Sequence, residues 1–570
     1  MSSTWAETPH EVPGYRRPHE GLELTTVDIS ETLVLNGTIR TMAHASLVES
    51  FLIRDARIVC VGTEQECRDE AITEPAVFDL NGATVLPGFV DAHCHPLMFG
   101  QFSSWIDCGW EAAPGIKDVV AALSRRAAGQ PTGPIRGKGF HHGNVAERRS
   151  LTRHDLDRVA DDREVLVFHS SGHGAIVNSW ALKMAGVTAE TPDPSGGHFG
   201  READGTPNGE VWDAAADALT GTRGVKITNN GPNFHLPEDV ESLIAHLAAS
   251  QHTLHAAGVT SVVDAQVTAR ELHTYLRLRE RGALTMRVEM LIISSLLGEV
   301  EALGLGGRLG DDQLAFTGIK LYVDGALTAA TARFEEPYCC TQEDFGYLYH
   351  APGELAELLS RVDKLGLQTA THAQGDAAIQ IVLDAHAAMQ NADGPSDIRH
   401  RIEHFGAPTI DQIHQAAELK LWPVTQPQYI RRYGDELVRA LGDRAQRITP
   451  LGEMRDAGLP LVLSSDAPVC PPHPMEAIYA AVTRRTLAND TLGTADQCLT
   501  VEQALRAHTL NAAASIHREH AVGSLEAGKF ADFVVLSADP VIVPVDELLT
   551  ITPTQTWVNG TPVFESSSPA

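Results

Sequence analysis

Residues 87–95 read Pro87-Gly88-Phe89-Val90-Asp91-Ala92-His93-Cys94-His95. The apolar run before the histidines predicts a strand, and in a strand residues i and i+2 share a face. His93 and His95 therefore project together at the carboxyl end of that strand, while Cys94 points away. Two imidazoles on one face can hold one metal ion. Alone, the spacing fits two packed core histidines equally well, because short metal motifs match by chance.

Outward from this stretch, apolar β runs alternate with helical segments, the pattern of a parallel barrel. Eight barrel strands are expected: 84–95, 259–264, 286–293, 316–323, 368–372, 401–404, 421–425 and 461–466. Segments 355–365 and 377–389 carry apolar residues at helical spacing between them. The fold expected is α/β, a (β/α)8 TIM-like barrel occupying about 87–519.

Two regions fall outside that repeat. The link between strands one and two is too long for an ordinary βα connection. Residues of about 99–250 are read as an insertion with its own structure, including a strand at 164–168. Attached after strand one, it should roof the catalytic face. Both chain ends are β-rich, with turn dipeptides at Asn36-Gly37, Asn81-Gly82 and Asn559-Gly560. Neither end has enough strands to bury a face alone. Residues 28–86 and 520–565 are therefore expected to meet in a small composite β-sandwich.

Further polar residues end apolar runs at the face where barrel sites are built. Thr371-His372 closes strand five, Glu403-His404 strand six and Ser465-Asp466 strand eight. These ends converge in a barrel although they lie far apart in sequence. Four histidines and an aspartate at one mouth are hard to explain as packing. Lys320, inside Gly318-Ile319-Lys320-Leu321-Tyr322-Val323, is a cation in an apolar strand. It either pairs with an acid such as Asp324 or carries CO2 as a carbamate bridging two metals. Tyr322 shares its face and could donate to a substrate carbonyl, or simply pack. His173, in Ser171-Gly172-His173-Gly174, could line the pocket from the insertion, or be a solvated loop histidine. Gln374 and Gln426 could face substrate.

The set resembles the metal site of the amidohydrolase superfamily. Gly318 to Gly325, Ser171-Gly172-His173-Gly174 with Asn178-Ser179, Thr371 to Asp376 and Ser465-Asp466-Ala467-Pro468 resemble its amidohydrolase 3 branch, which includes N-substituted formamide deformylase-like enzymes. The resemblance runs from about Thr32 to the end. It implies one or two divalent ions, zinc first. His93, His95 and Asp466 would hold one; carbamylated Lys320 would bridge to a second on His372 and His404. It further implies a hydrolase cleaving a non-peptide C–N bond of an N-formyl or N-acyl amine. The expected chemistry is attack by metal-bound hydroxide with Asp466 as general acid/base. A deaminase or esterase-like hydrolase on the same site is the alternative, and a non-catalytic regulator of this fold the more distant one. A homodimer is implied by resemblance alone.

Composition bounds partners. Forty-four basic against 74 acidic residues give a net charge of −30. Such a surface repels phosphate backbones and anionic membranes, so neither nucleic acid nor membrane is an expected partner. The polar opening Met1–Pro13 is not read as a secretory signal. Eight cysteines without a CxxC pair are read as reduced thiols of a cytoplasmic enzyme.

Overall fold

The computed structural model describes residues 30–44, 46–222, 224–339, 343–394 and 397–566. Met1–Pro13 and residues 28–29 of the expected terminal β unit lie outside them. The protein is an α/β barrel with two additional sheets.

The eight barrel strands are β1 (Phe89–Cys94), β2 (Val259–Val267), β3 (Arg287–Ile293), β4 (Leu314–Tyr322), β5 (Gln368–Ala373), β6 (Arg401–His404), β7 (Trp422–Thr425) and β8 (Val462–Leu463). Consecutive strands pair in parallel from β1 to β8. Helices cover the outside. In the helix Pro352–Lys364, proline opens the first turn, and Leu355, Leu359 and Val362 form the buried stripe.

Two expected strands differ from those observed. Residues 84–95 are not one strand. Thr84–Pro87 pairs with Phe533–Leu536 in the terminal sheet, and only Phe89–Cys94 belongs to the barrel. The chain changes sheets at Gly88, whose N–H donates to the Asp532 carbonyl. A Cβ at Gly88 would sit 2.3 Å from the Thr260 side chain, so the crossing needs glycine. Both halves are apolar, so periodicity cannot reveal the break. The eighth strand is shorter than 461–466. Beyond Leu463 the chain turns and is fastened to β1 by other bonds: Asp466 N–H to His93 O and His95 N–H to Ala467 O, both 2.8 Å.

Strands from both chain ends share one eight-stranded sheet, in which Glu31–Arg40 and Thr84–Pro87 lie beside Phe533–Leu536 and Pro553–Val558. Between β1 and β2 stands a six-stranded sheet. Its strand Val165–His169 is buried on both faces, and alternation sorts its side chains. Val165 and Val167 pack with Ile116, Val119 and Leu123 of a helix on one side. Leu166 and Phe168 pack with Met98, Phe102 and Trp105 on the other. Val240–Ala256 is a single helix packed along β2, so the boundary drawn at about 250 falls inside it. Among the described residues no helix is long and apolar enough to cross a membrane.

Candidate metal centre

One ligand atom each from His93, His95 and Asp466 lie within 4.8 Å of one another. His93 comes from the end of β1, His95 from the cap of the helix Pro96–Ser103, and Asp466 from the turn after β8. Asp466 Oδ1 is 3.3 Å from His95 Nε2 and 3.5 Å from His93 Nε2. Its Oδ2 accepts the Tyr429 hydroxyl.

The hydrogen bonds fix which nitrogens are free. His93 Nδ1 lies 2.5 Å from Glu403 Oε2. A carboxylate only accepts, so the proton sits on Nδ1 and the Nε2 lone pair faces Asp466. Two acceptors in opposition, buried and 3.5 Å apart, are stable only with a cation or proton between them. His372 Nε2 donates to the Gly325 carbonyl at 2.9 Å, which leaves its Nδ1 as a buried lone pair without a partner. His404 Nδ1 donates to Gln426 Oε1 at 2.8 Å, and the Gln426 amide is oriented by donating to Ser464 Oγ. His95 Nδ1 is also unpartnered. Imidazoles that donate one N–H to a carboxylate or carbonyl and turn the other nitrogen inward are arranged as metal ligands. Burial holds His93, His372 and His404 well below the usual histidine range, so they are neutral, as ligation requires. The residues present therefore fit a divalent cation.

Lys320 is fully buried among them, its Nζ without a hydrogen-bond acceptor and 4.5 Å from the centre of the Tyr322 ring. Burial lowers its pKa to about 8, against the pull of Glu403 and Asp466. The alternative of a pair with Asp324 is not what the structure contains. Asp324 instead accepts backbone N–H groups from Arg333, Gln374 and Gly375.

Backbone strain marks the same place. His404, Phe405 and Asp466 have φ of 70°, 46° and 55°, in the left-handed region. Each costs on the order of 1–3 kcal/mol in a non-glycine residue. For His404 the consequence is direct. Regular alternation would send Glu403 and His404 to opposite faces; the turn at His404 lets both reach the site.

The remaining candidates divide. His173 is buried, not solvated, and lines the same cavity as His93 and His372. Its Nδ1 is 2.7 Å from Asp213, which also accepts the Tyr349 hydroxyl at 2.5 Å. Tyr322 reaches the cavity, but its hydroxyl proton goes to Gln266 Oε1 at 2.5 Å. Gln426 supports His404 instead of facing outward, and Gln374 accepts from Leu327 N–H while lining the cavity.

Sequence reasoning missed Arg401 and Tyr429. Arg401 is completely buried; it grips both oxygens of Glu403 at 2.7 and 2.8 Å and donates to the Ala92 carbonyl of β1. The signal was an Arg-x-Glu pair inside a barrel strand, two charges on one face of a buried element. Tyr429 follows the end of β7, where loop residues meet the site; its position was the only signal.

A model of the amidohydrolase family matches residues 76–564. The chain is 30% identical over 545 residues to an N-substituted formamide deformylase of Arthrobacter pascens, covering 94% of this chain and 98% of that relative. Its fold is similar to two uncharacterized metal-dependent hydrolases of known structure. One, from Pyrococcus furiosus, is 26% identical with a TM-score of 0.70, covering 90% of this chain and all of that one. The other, from Pyrococcus horikoshii OT3, is 24% identical with a TM-score of 0.74, covering 91% and 99%.

Proposed function

The chain belongs to the amidohydrolase family, and on that premise we propose that it hydrolyses the non-peptide C–N bond of a small N-formyl or N-acyl amine. The observation that carries this reading is the buried convergence of acceptors: Asp466 Oδ1 lies 3.5 Å from His93 Nε2 and 3.3 Å from His95 Nε2, and the His372 Nδ1 in the same cavity has no partner. The formamide deformylase relative supports the amide as substrate.

His93, His95 and Asp466 would hold one zinc ion. His372 and His404 would hold a second, bridged by Lys320 as a carbamate; the buried, partnerless amine supports that role. When bound, a divalent ion supplies Lewis acidity toward the carbonyl oxygen and lowers the pKa of water. Asp466 takes the proton of the attacking water and delivers it to the leaving nitrogen. Water adds to the carbonyl carbon, the C–N bond breaks, and a carboxylic acid and an amine leave. Tyr429 donates to Asp466 Oδ2, which fixes the carboxylate with Oδ1 toward His93 and His95. His173, its Nδ1 proton committed to Asp213, presents Nε2 as an acceptor for the substrate N–H. The described cysteines are free thiols, which supports a cytoplasmic setting.

The test is metal content per chain together with amine release from N-formyl and N-acyl amines. Bound zinc with amine release, lost to a chelator and restored by zinc, is expected. Protein that neither retains zinc nor releases amine after zinc is restored refutes the proposal.

A further inference from the structure

His173 reaches the cavity at the candidate metal centre from the inserted sheet, and two residues behind it fix how it does so. It precedes the strand Gly174–Val177, whose first residue pairs with Trp212 of the strand Pro207–Asp213. A Cβ at Gly174 would lie 2.4 Å from the Trp212 ring, so glycine lets the two strands close at this end. Asp213 donates its N–H to the His173 carbonyl at 2.7 Å. Its φ of 51° is strained for a non-glycine residue. At that bend its carboxylate meets the His173 ring, with Oδ1 2.7 Å from Nδ1.

The third member belongs to the barrel. Tyr349 is fastened beyond β4, where its N–H donates to the Val323 carbonyl at 2.8 Å. Its hydroxyl donates to the same Asp213 Oδ1 at 2.5 Å. Burial, with Asp213 close by, holds that hydroxyl well above the usual tyrosine range, so it keeps its proton. All three side chains are buried, and Asp213 Oδ2 has no hydrogen-bond partner. A buried carboxylate that gathers both donors on one oxygen is poorly compensated; what it secures is the proton on His173 Nδ1. With Nδ1 held from behind, Nε2 is a lone pair on the cavity side, where the His173 and His372 ring centres are 5.7 Å apart.

We propose that Asp213 and Tyr349 are positioning residues of the reaction: they hold His173 in the tautomer whose Nε2 accepts the N–H on the scissile nitrogen. This rests on the hydrolase reading above and adds what keeps His173 an acceptor. As water adds to the carbonyl carbon, the nitrogen loses its amide resonance and gains a lone pair. The proton from Asp466 bonds to that lone pair, the electrons of the breaking C–N bond go to nitrogen, and the N–H held by His173 leaves with the amine. Because His173 offers no proton of its own, the lone pair stays open to Asp466. In the other tautomer two N–H groups would face each other, a contact that weakens binding. An ester reverses the preference. Its leaving oxygen carries lone pairs and no hydrogen, so it opposes a lone pair on Nε2 and would accept from an Nε2–H. Selection of nitrogen over oxygen at the leaving position is therefore set by two residues that do not touch the substrate.

The experiment measures kcat/KM of zinc-loaded wild type, Asp213→Asn and Tyr349→Phe for N-butylformamide and butyl formate, which differ in N–H against O. Asparagine tolerates the left-handed backbone, and its amide can donate to Nδ1 and move the ring proton to Nε2. Asp213→Asn should lower the amide-to-ester ratio at least about tenfold, within the range by which a site built to bond an N–H discriminates. Tyr349→Phe should lower it by less, and decides the matter should Asp213→Asn not fold. An ester that no protein hydrolyses is compared through its inhibition constant. Equal loss on both probes, with the ratio unchanged, would mark the two residues as structural and overturn the proposal. If wild type releases amine from no N-formyl or N-acyl amine, the hydrolase reading has failed. The tautomer is then read by nitrogen NMR of histidine-labelled protein, with the His173 signals identified by their loss in His173→Gln. A proton on Nδ1 in wild type that moves toward Nε2 in Asp213→Asn is expected. A wild-type ring with its proton on Nε2, or a proton unmoved in Asp213→Asn, overturns the positioning.

Discussion

Among the described residues there are two clusters of three side chains whose ligand atoms lie within 4.8 Å of one another. One is His93, His95 and Asp466 at the barrel mouth; the other is His141, His142 and His169 in the insertion. By proximity they are equivalent, and the hydrogen bonds separate them. At the barrel, His93 hands its Nδ1 proton to Glu403, and a carboxylate stands among the free nitrogens. In the insertion, His141 Nδ1 accepts the Gly143 N–H at 3.1 Å and His169 Nδ1 accepts the Ser171 N–H at 3.2 Å. The His141 proton then lies on Nε2, which donates to the Thr328 carbonyl at 3.0 Å, while His169 Nδ1 also meets the Ser171 hydroxyl at 2.8 Å. In the second cluster the nitrogen that His141 has left for a metal already donates to a carbonyl, and the cluster contributes no carboxylate. What separates a ligand set from a knot of histidines is the partner behind each ring.

That contrast can be broken most severely at Asp466. Asp466→Asn keeps the shape and removes the base, and should lower kcat about a thousandfold or more while the circular dichroism spectrum stays native. Retained turnover would leave the barrel cluster without its distinguishing member. Next is the partner behind His93. Glu403→Gln should weaken zinc binding about 10- to 100-fold, measured by competition with a chromogenic chelator. It also leaves the buried Arg401 without a full counter-charge, so thermal unfolding must be followed in parallel. The insertion supplies the control: His142→Gln should leave the bound zinc per chain at its wild-type value. If it removes zinc, tautomers read from hydrogen bonds do not discriminate the two clusters.

Much of this was legible in the sequence, for a reason that also sets the limit. Strands β2 to β7 show as apolar runs because both their faces are buried. His372, His404 and Asp466 show because polar residues end such runs. Bonds between distant segments leave no periodic trace. The closure of the barrel through Asp466 and Ala467 onto β1 is one case, and the change of sheet at Gly88 is another. Glu403 was visible as a strand-end residue, but alternation placed it away from His404. Only the left-handed backbone at His404 brings the two to one site, and nothing in a strand pattern predicts a broken pleat.

The smallest expected effect tests the charge state of the insertion cluster. Burial, with His142 close by, lowers the His141 pKa from 6.5 to about 4. In the unfolded chain His141 titrates near its ordinary value. Between pH 6.5 and 4 the unfolded state therefore binds a proton that the folded state excludes. Stability rises with pH where the unfolded state binds more protons, so this site contributes stability above pH 6.5 that is lost as pH falls toward 4. His141→Gln removes the group from both states. The pH dependence of the unfolding free energy should then flatten by up to one proton in that window, measured by denaturant titration at several pH values. Other buried histidines contribute to the wild-type slope, so the difference between the two proteins is the quantity to compare. An unchanged slope would mean that His141 is protonated in the folded state. Its Nδ1 could then not accept the Gly143 N–H, and the argument from tautomers that sets this cluster apart from the barrel site would fail at its first residue.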